Sequence, residues 1–420
     1  MTTSNPSRAA ETARAARYCF AQTVALLLLG MAPVPVPVDW AWASTVLDCM
    51  RSTEPNRADR ENSTPGYYEG LIGRGEGPQG PLNEMAIRVL HKPTDWARFS
   101  AADVTRPLPD GDFLQFELKA NVQKQLFGHA FTTNAHGMRD RELPVEKPEG
   151  VFRVAVLGSS IDMGWGIPAE ETYVRRLEDW LNEEAARLGS SRRFEVMNFA
   201  VAAYGPLQKL ESFRRKAAEF RPDLVLYSAN MLDTRLMEIH LCDLFRAHAD
   251  LRYDFLRKAL AEAGVTAADL ATGVEDKLLH KDTLKRKLRP QYWPIYDAAL
   301  GELAAECRSR GVPLACLIVP RVGKADAPGP RAESVAWLRA IASHHALPLY
   351  DLAGTFDGQD PSLFELASWD DHPNALGHRR LFQALSRSLT EDPALAATLF
   401  PGRPSEGPGG ATDQARRETR

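Results

Sequence analysis

The chain reads as an α/β protein organised on a doubly wound parallel sheet, and three observations predict it. Five short apolar runs, Phe152–Leu157, Phe194–Phe199, Leu224–Ser228, Leu314–Val319 and Leu347–Leu352, have the continuous hydrophobicity of strands buried on both faces. Segments with apolar residues at helical spacing lie between them, and strands alternating with helices imply parallel pairing through right-handed crossovers. A length of 420 residues, 44% hydrophobic and 25% charged, supports one sizeable core with additions.

Taken in order, residues 1–43 read as a targeting segment. Arg8, Arg14 and Arg17 precede an apolar run from Phe20 to Met31, and Ala41-Trp42-Ala43 offers an A-x-A cleavage site. The run is short for a bilayer span and Pro33, Pro35 and Pro37 follow it. A cleaved signal peptide is the first expectation and an uncleaved membrane anchor the second. Either puts the rest of the chain outside the cytoplasm, in the periplasm or secreted.

Residues 44–133 are expected to form a linker and a small accessory layer on the sheet edge. Arg51 to Gly66 has the Pro, Gly, Arg and Asp content of a linker. Leu114, Phe116 and Leu118 alternate with polar residues as one strand with an exposed face, and Phe127 to Arg141 offers another.

The main domain spans 134–398. After Phe152–Leu157 a helix carries Tyr173, Leu177, Trp180, Leu181 and Leu188 on one stripe and ends at Gly189. The second strand is followed by Leu207, Leu210, Phe213, Ala217 and Phe220. Tyr296, Leu300, Leu303 and Cys307 mark the helix before the fourth strand, closed by Gly311. Leu376, Phe382, Leu385 and Leu389 mark the last. Residues 231–291 form a charged helical insertion after a strand's carboxyl end, either a lid over the crevice or a solvated excursion. The tail, 399–420, has the composition of a disordered segment.

The chemistry gathers at strand ends. Gly158-Ser159-Ser160 is a small-residue strand-to-helix turn, where open α/β sheets place ligands, and Ser160 is the candidate nucleophile. Acyl transfer needs a hydroxyl, a base, a carboxylate orienting the base, and donors around the oxyanion. Ser160 supplies the hydroxyl, His372 the base, and Asp370 or Asp371 the carboxylate. The N–H groups of Ser160 and Ala203, with the Asn230 amide, can form the oxyanion hole. Each residue taken alone has a structural reading, such as a cap or a satisfied turn. Their conjunction at the ends of one sheet's strands points to a site.

Other classes are disfavoured. A net charge of −4 argues against nucleic acid. The five cysteines form no CxxC pair. His240, Cys242 and Asp243 lack a second ligand pair at metal spacing, so neither metal nor cofactor is expected. There is no Walker loop and no lipase-type G-x-S-x-G elbow.

LGSSIDMGWG, NFAVAAYG, YSAN and DDHPNALGH resemble, in order, the four blocks of the SGNH/GDSL hydrolase superfamily. TTNAHGMRDRE upstream resembles a leader of some extracytoplasmic members. The resemblance implies a flavodoxin-like sheet, no metal, and esterase, lipase or glycan O-acyl chemistry, with Ser160 as nucleophile, Asn230 in the oxyanion hole and His372 as base. Three positions depart from the pattern. Ser159 stands in place of the Asp of Gly-Asp-Ser, and Ala203 in place of a Gly. Trp369 occupies the acid's common place three residues before the His, so Asp370 is taken as its substitute. The expected function is hydrolysis of an ester, foremost an O-acyl group on a cell-envelope or secreted glycan. A glycan O-acyltransferase using the same site, and a degraded glycan-binding or scaffold protein, are the alternatives.

Overall fold

The computed structural model describes residues 104–401, apart from 127, 247–248, 267–278, 323–329 and 368–369. The expectations for residues 1–43, for the linker, for Trp369 and for the tail beyond Pro401 lie outside the described residues.

Five strands form one parallel sheet: β5 (Val151–Leu157), β6 (Arg193–Asn198), β7 (Leu224–Asn230), β8 (Leu314–Val319) and β9 (Leu349–Asp351). They lie in the order β6-β5-β7-β8-β9, the flavodoxin-like arrangement, with β5 between β6 and β7. All of β5, β7 and β8 is buried, so their apolar runs lack the alternation of half-exposed strands.

Alternate residues of each strand serve opposite layers. Ala155, Leu157, Met197, Val225, Tyr227 and Ile318 pack under the helices α3 (Pro206–Arg215), α4 (Asp233–Arg246), α5 (Asp254–Glu262), α6 (Leu279–Leu288), α7 (Tyr292–Ser309) and α8 (Pro330–His344). Val154, Val156, Val196, Leu226, Leu317 and Val319 pack under α2 (Tyr173–Arg187), α9 (Ala375–Glu391) and α10 (Pro393–Leu399). A short helix, α1 (Ser160–Met163), stands directly after β5.

Several details correct the sequence reading. Ala217 and Phe220 lie in a 3-10 turn after α3, not in the helix itself. Leu376 is 42% exposed. It stands five residues before Leu381, about 140° round the helix from the buried stripe of Leu381, Leu385 and Leu389. Phe400 is buried against Trp180 and Phe194, so the packed domain extends past 398.

The accessory layer is two antiparallel pairs, β1 (Thr105–Pro107) with β2 (Phe116–Leu118) and β3 (Gln123–Leu126) with β4 (His129–Thr132). The first three residues of β3 are exposed and polar, so it carries no apolar alternation to read. Its described strands pack over the sheet's strand ends rather than along a sheet edge. Leu114, Phe116, Leu118 and Phe131 pack on Met163, Trp165 and the Ala200–Tyr204 loop, over the carboxyl ends of β5 and β6. The Tyr204 hydroxyl donates to Phe116 O at 2.7 Å.

The insertion begins as part of the core. Leu236 and Ile239 of α4 face the accessory layer while Met237, Leu241 and Leu244 face the sheet. The first residue of α4, Asp233, is fully buried and takes two hydrogen bonds from the equally buried Lys209, at 2.8 and 2.9 Å. The Tyr296 hydroxyl adds a third at 2.9 Å. These bonds satisfy a charge that could not otherwise stand out of water. α4, the first helix of the insertion, is therefore packed into the core and is not a solvated excursion. No helix among the described residues is long and apolar enough to cross a membrane.

Candidate active site

Ser160 is the first residue of α1, so its backbone N–H is one of the helix donors without an intrahelical partner. The turn that presents it is closed by Asp162. One carboxylate oxygen of Asp162 accepts the Ser159 N–H at 2.7 Å, and the other accepts the Tyr173 hydroxyl. A Cβ at Gly158 would lie 2.2 Å from the Asp162 carboxylate, so only glycine fits there. The Asn198 amide, at the end of β6, donates to Asp162 O at 2.8 Å, and its oxygen accepts the Ala200 N–H at 3.1 Å. Asn198 therefore braces the turn from the neighbouring strand.

His372 lies on β11 (Asp370–Pro373), which pairs antiparallel with β10 (Glu365–Ala367). In a strand, residues two apart share a face. Asp370 and His372 therefore point the same way and Asp371 the other. Asp371 forms an ion pair with Arg321 on that opposite side. Asp370 Oδ1 lies 2.5 Å from His372 Nδ1 and accepts the His372 backbone N–H at 3.1 Å. His372 Nε2 lies 2.8 Å from Ser160 Oγ. Serine, imidazole and carboxylate form one unbroken line of contacts, with Ser160 6% and His372 1% exposed.

Burial would raise the Asp370 carboxyl, but the His372 imidazole, its hydrogen bonds and Arg321 hold it well below the usual carboxylate range. Burial lowers His372 below its ordinary value despite the opposing pull of Asp370. The resting pair is thus an ionised acid beside a neutral imidazole, the state a general base requires.

Ala203 lies in the loop after β6 and Asn230 at the end of β7, the two strands that flank β5. Ala203 follows β6 and has φ +68°, the left-handed region where glycine is preferred. Its methyl group strains the backbone by about 1 kcal/mol while leaving the N–H in place. Among the described residues that N–H has no hydrogen-bond acceptor. Asn230 ends β7. Its side-chain oxygen accepts the Leu232 N–H at 2.9 Å and its backbone N–H donates to Asp233 at 3.1 Å. The amide's NH2 end therefore turns away from this loop.

Of the residues the sequence nominates, the structure brings Ser160, His372 and Asp370 into contact and places Asn230 at the end of β7 and Ala203 in the loop after β6. The sequence reading missed Asp162, although Ser159-x-x-Asp162 is the capping pattern for a helix start. It also missed Lys209, Asp233, Arg139 and Trp165. No local pattern marks these, because each acts on a segment distant in sequence or through a fold contact.

Two groups hold metal-ligating atoms close together among the described residues. One is Asp370, Asp371 and His372, already engaged as described. The other, at the α7–α8 seam, joins Asp297 to His344 Nδ1 at 2.9 Å and to His345 Nε2 at 3.0 Å. His345 Nε2 also lies 3.0 Å from the Asp297 carbonyl, the contact of a ring N–H donor tying two helices. His240 contacts Phe113 O at 2.7 Å, and burial pushes its pKa down to about 4. It belongs with the accessory layer and forms no ligand cluster with Cys242 and Asp243 among the described residues.

Residues 156–380 match the model of the GDSL-like Lipase/Acylhydrolase family. No curated protein matches the chain. Solved structures similar to it include TesA, at 16% identity over 57% of this chain and 98% of that one, with a TM-score of 0.36. LAE5, an alpha/beta hydrolase enzyme from the metagenome of Lake Arreo, is 17% identical over 57% and 95%, with a TM-score of 0.36. The acetyl xylan esterase AlAXEase is 12% identical over 57% and 100%, with a TM-score of 0.35.

Proposed function

Because the chain belongs to the GDSL-like lipase/acylhydrolase family, and so to the ester hydrolases, we propose that it works through an acyl-enzyme formed on Ser160. In this reading Ser160 Oγ attacks the acyl carbonyl as His372 Nε2 takes its proton. The negative oxygen is met by the Ser160 and Ala203 N–H groups and the Asn230 amide. His372 then returns the proton to the leaving alkoxide, and water, deprotonated by the same imidazole, releases the acid and restores the serine. Asp370 holds the imidazole in the tautomer that keeps Nε2 free to accept. The observation that carries the reading is the contact line from Ser160 Oγ through His372 to Asp370.

The pH dependence follows from the buried imidazole. Only neutral His372 can take the proton, and its pKa is lowered by burial. Activity should therefore persist below about pH 6.5, the ordinary histidine midpoint, and fall only when the imidazole protonates at lower pH. A kcat/KM profile on a simple ester checks this. An acid limb at or above pH 6.5 would contradict it.

The substrate we propose is an O-acyl group on an envelope or secreted polysaccharide, reached after export. The basic and apolar N-terminal segment with its Ala41-Trp42-Ala43 site supports export, and the leader at 132–142 resembles that of extracytoplasmic enzymes. Release of acetate from an O-acetylated polysaccharide, measured beside a long-chain triglyceride, tests the choice. Acetate release with little lipid turnover is expected. Turnover of the lipid alone would replace the glycan with a lipid ester and leave the serine chemistry standing.

A further inference from the structure

We propose that Trp165 is a positioning residue for Asp370: its indole N–H holds the carboxylate so that the other oxygen faces His372. The inference rests on the serine-esterase reading above and adds a residue outside its serine, histidine and acid.

Asp370 stands two residues before the histidine, and one of its oxygens, Oδ1, serves both the backbone and the ring of His372. The other, Oδ2, is buried and needs a donor from elsewhere. Trp165 Nε1 supplies it at 3.2 Å, across 205 residues of sequence. Rotation of a carboxylate about its last torsion is broad and two-fold, so a second fixed donor decides which way the group faces. The Trp165 ring itself is buried, and its centroid lies 5.9 Å from that of His372.

The turn carrying Trp165 is fixed on three sides. Its backbone N–H donates to Ser160 O at 3.0 Å, so nucleophile and anchor belong to one turn. Gly164 and Gly166 on either side have φ +83° and +75°. A Cβ on Gly166 would lie 2.2 Å from Leu366 of β10, the strand paired with β11. From the leader segment, the Arg139 guanidinium donates to Met163 O at 3.0 Å, Ile167 O at 2.6 Å and also Gly164 O. Arg139 stacks over Phe131 of the accessory layer. The layer thus reaches the acid through this turn.

Trp165→Phe keeps the ring packing and removes the N–H. In the full chain with 15N-labelled histidine, the His372 Nδ1–H proton should resonate far downfield and shift or broaden in Trp165→Phe. On a simple ester, kcat should fall about 10- to 100-fold, the usual range for a hydrogen bond to a charge, with KM nearly unchanged. The substitution should add nothing to Asp370→Asn, since it acts through that carboxylate. An unmoved resonance, or an equal loss of kcat in the Asp370→Asn background, would overturn the proposal and make Trp165 a packing residue. If the unmutated protein turns over no ester, the esterase reading fails. The resonance still decides the role of Trp165, because it is read in the resting protein.

Discussion

Ser160→Ala is expected to lower ester turnover by a factor on the order of 10⁶, the scale seen when the nucleophile of a cooperating serine, base and acid is removed. The loss is large because the remaining groups can stabilise an oxyanion but have nothing to attack the carbonyl. A fluorophosphonate probe read by intact mass should give one adduct on the unmutated chain and none on Ser160→Ala. Ser159→Ala should keep the adduct. What residue 159 contributes to the turn is its backbone N–H, bonded to Asp162, and the substitution preserves it. An adduct that survived in Ser160→Ala would move the nucleophile elsewhere.

Asp370→Asn carries the second largest effect, a loss in kcat on the order of 10⁴ with the fold intact. The amide fills the same space but can present an NH2 to His372, which favours the wrong tautomer and leaves Nε2 protonated toward Ser160. Asp371→Asn should stay within a few-fold of the unmutated rate, because Asp371 faces the opposite side of β11 and pairs with Arg321. Steady-state rates of the two variants on one ester decide between the adjacent carboxylates. Equal losses would mean that the strand's two faces both feed the site.

The pair also shows what could be read in the chain beforehand. Two carboxylates before a histidine leave the acid ambiguous until the local conformation is known. Once Asp370–Pro373 is a strand, a period of two selects Asp370. Ala203 is a similar case. Its substitution for glycine was visible, but only the backbone shows that the position has positive φ and bears the strain. The turn at Ser160 was more legible, since a buried apolar run ending in Gly158-Ser159-Ser160 marks it locally, although the four-residue cap by Asp162 was missed.

The accessory layer and the insertion were the least legible. β3 shows little apolar face to read, and the destination of Leu114, Phe116 and Phe131 depends on turns and loops some 30 to 90 residues further on. The buried partnership of Lys209 with Asp233 is invisible for the same reason. Read singly, each is a charged residue on a helix and would be assigned to solvent.

By itself the sequence determined the five strands, their alternation with helices, and the residues offered at the strand ends. Those features follow from side-chain period and backbone geometry over a few residues. Only the tertiary structure decided that Ser160 meets His372 across 212 residues, that Asp370 rather than Asp371 contacts the His372 ring, and that the Trp165 indole N–H reaches the far oxygen of Asp370. Such contacts depend on strand order and on where one hairpin closes, and burial then enforces them, because a polar group withdrawn from water must find its partner in the fold.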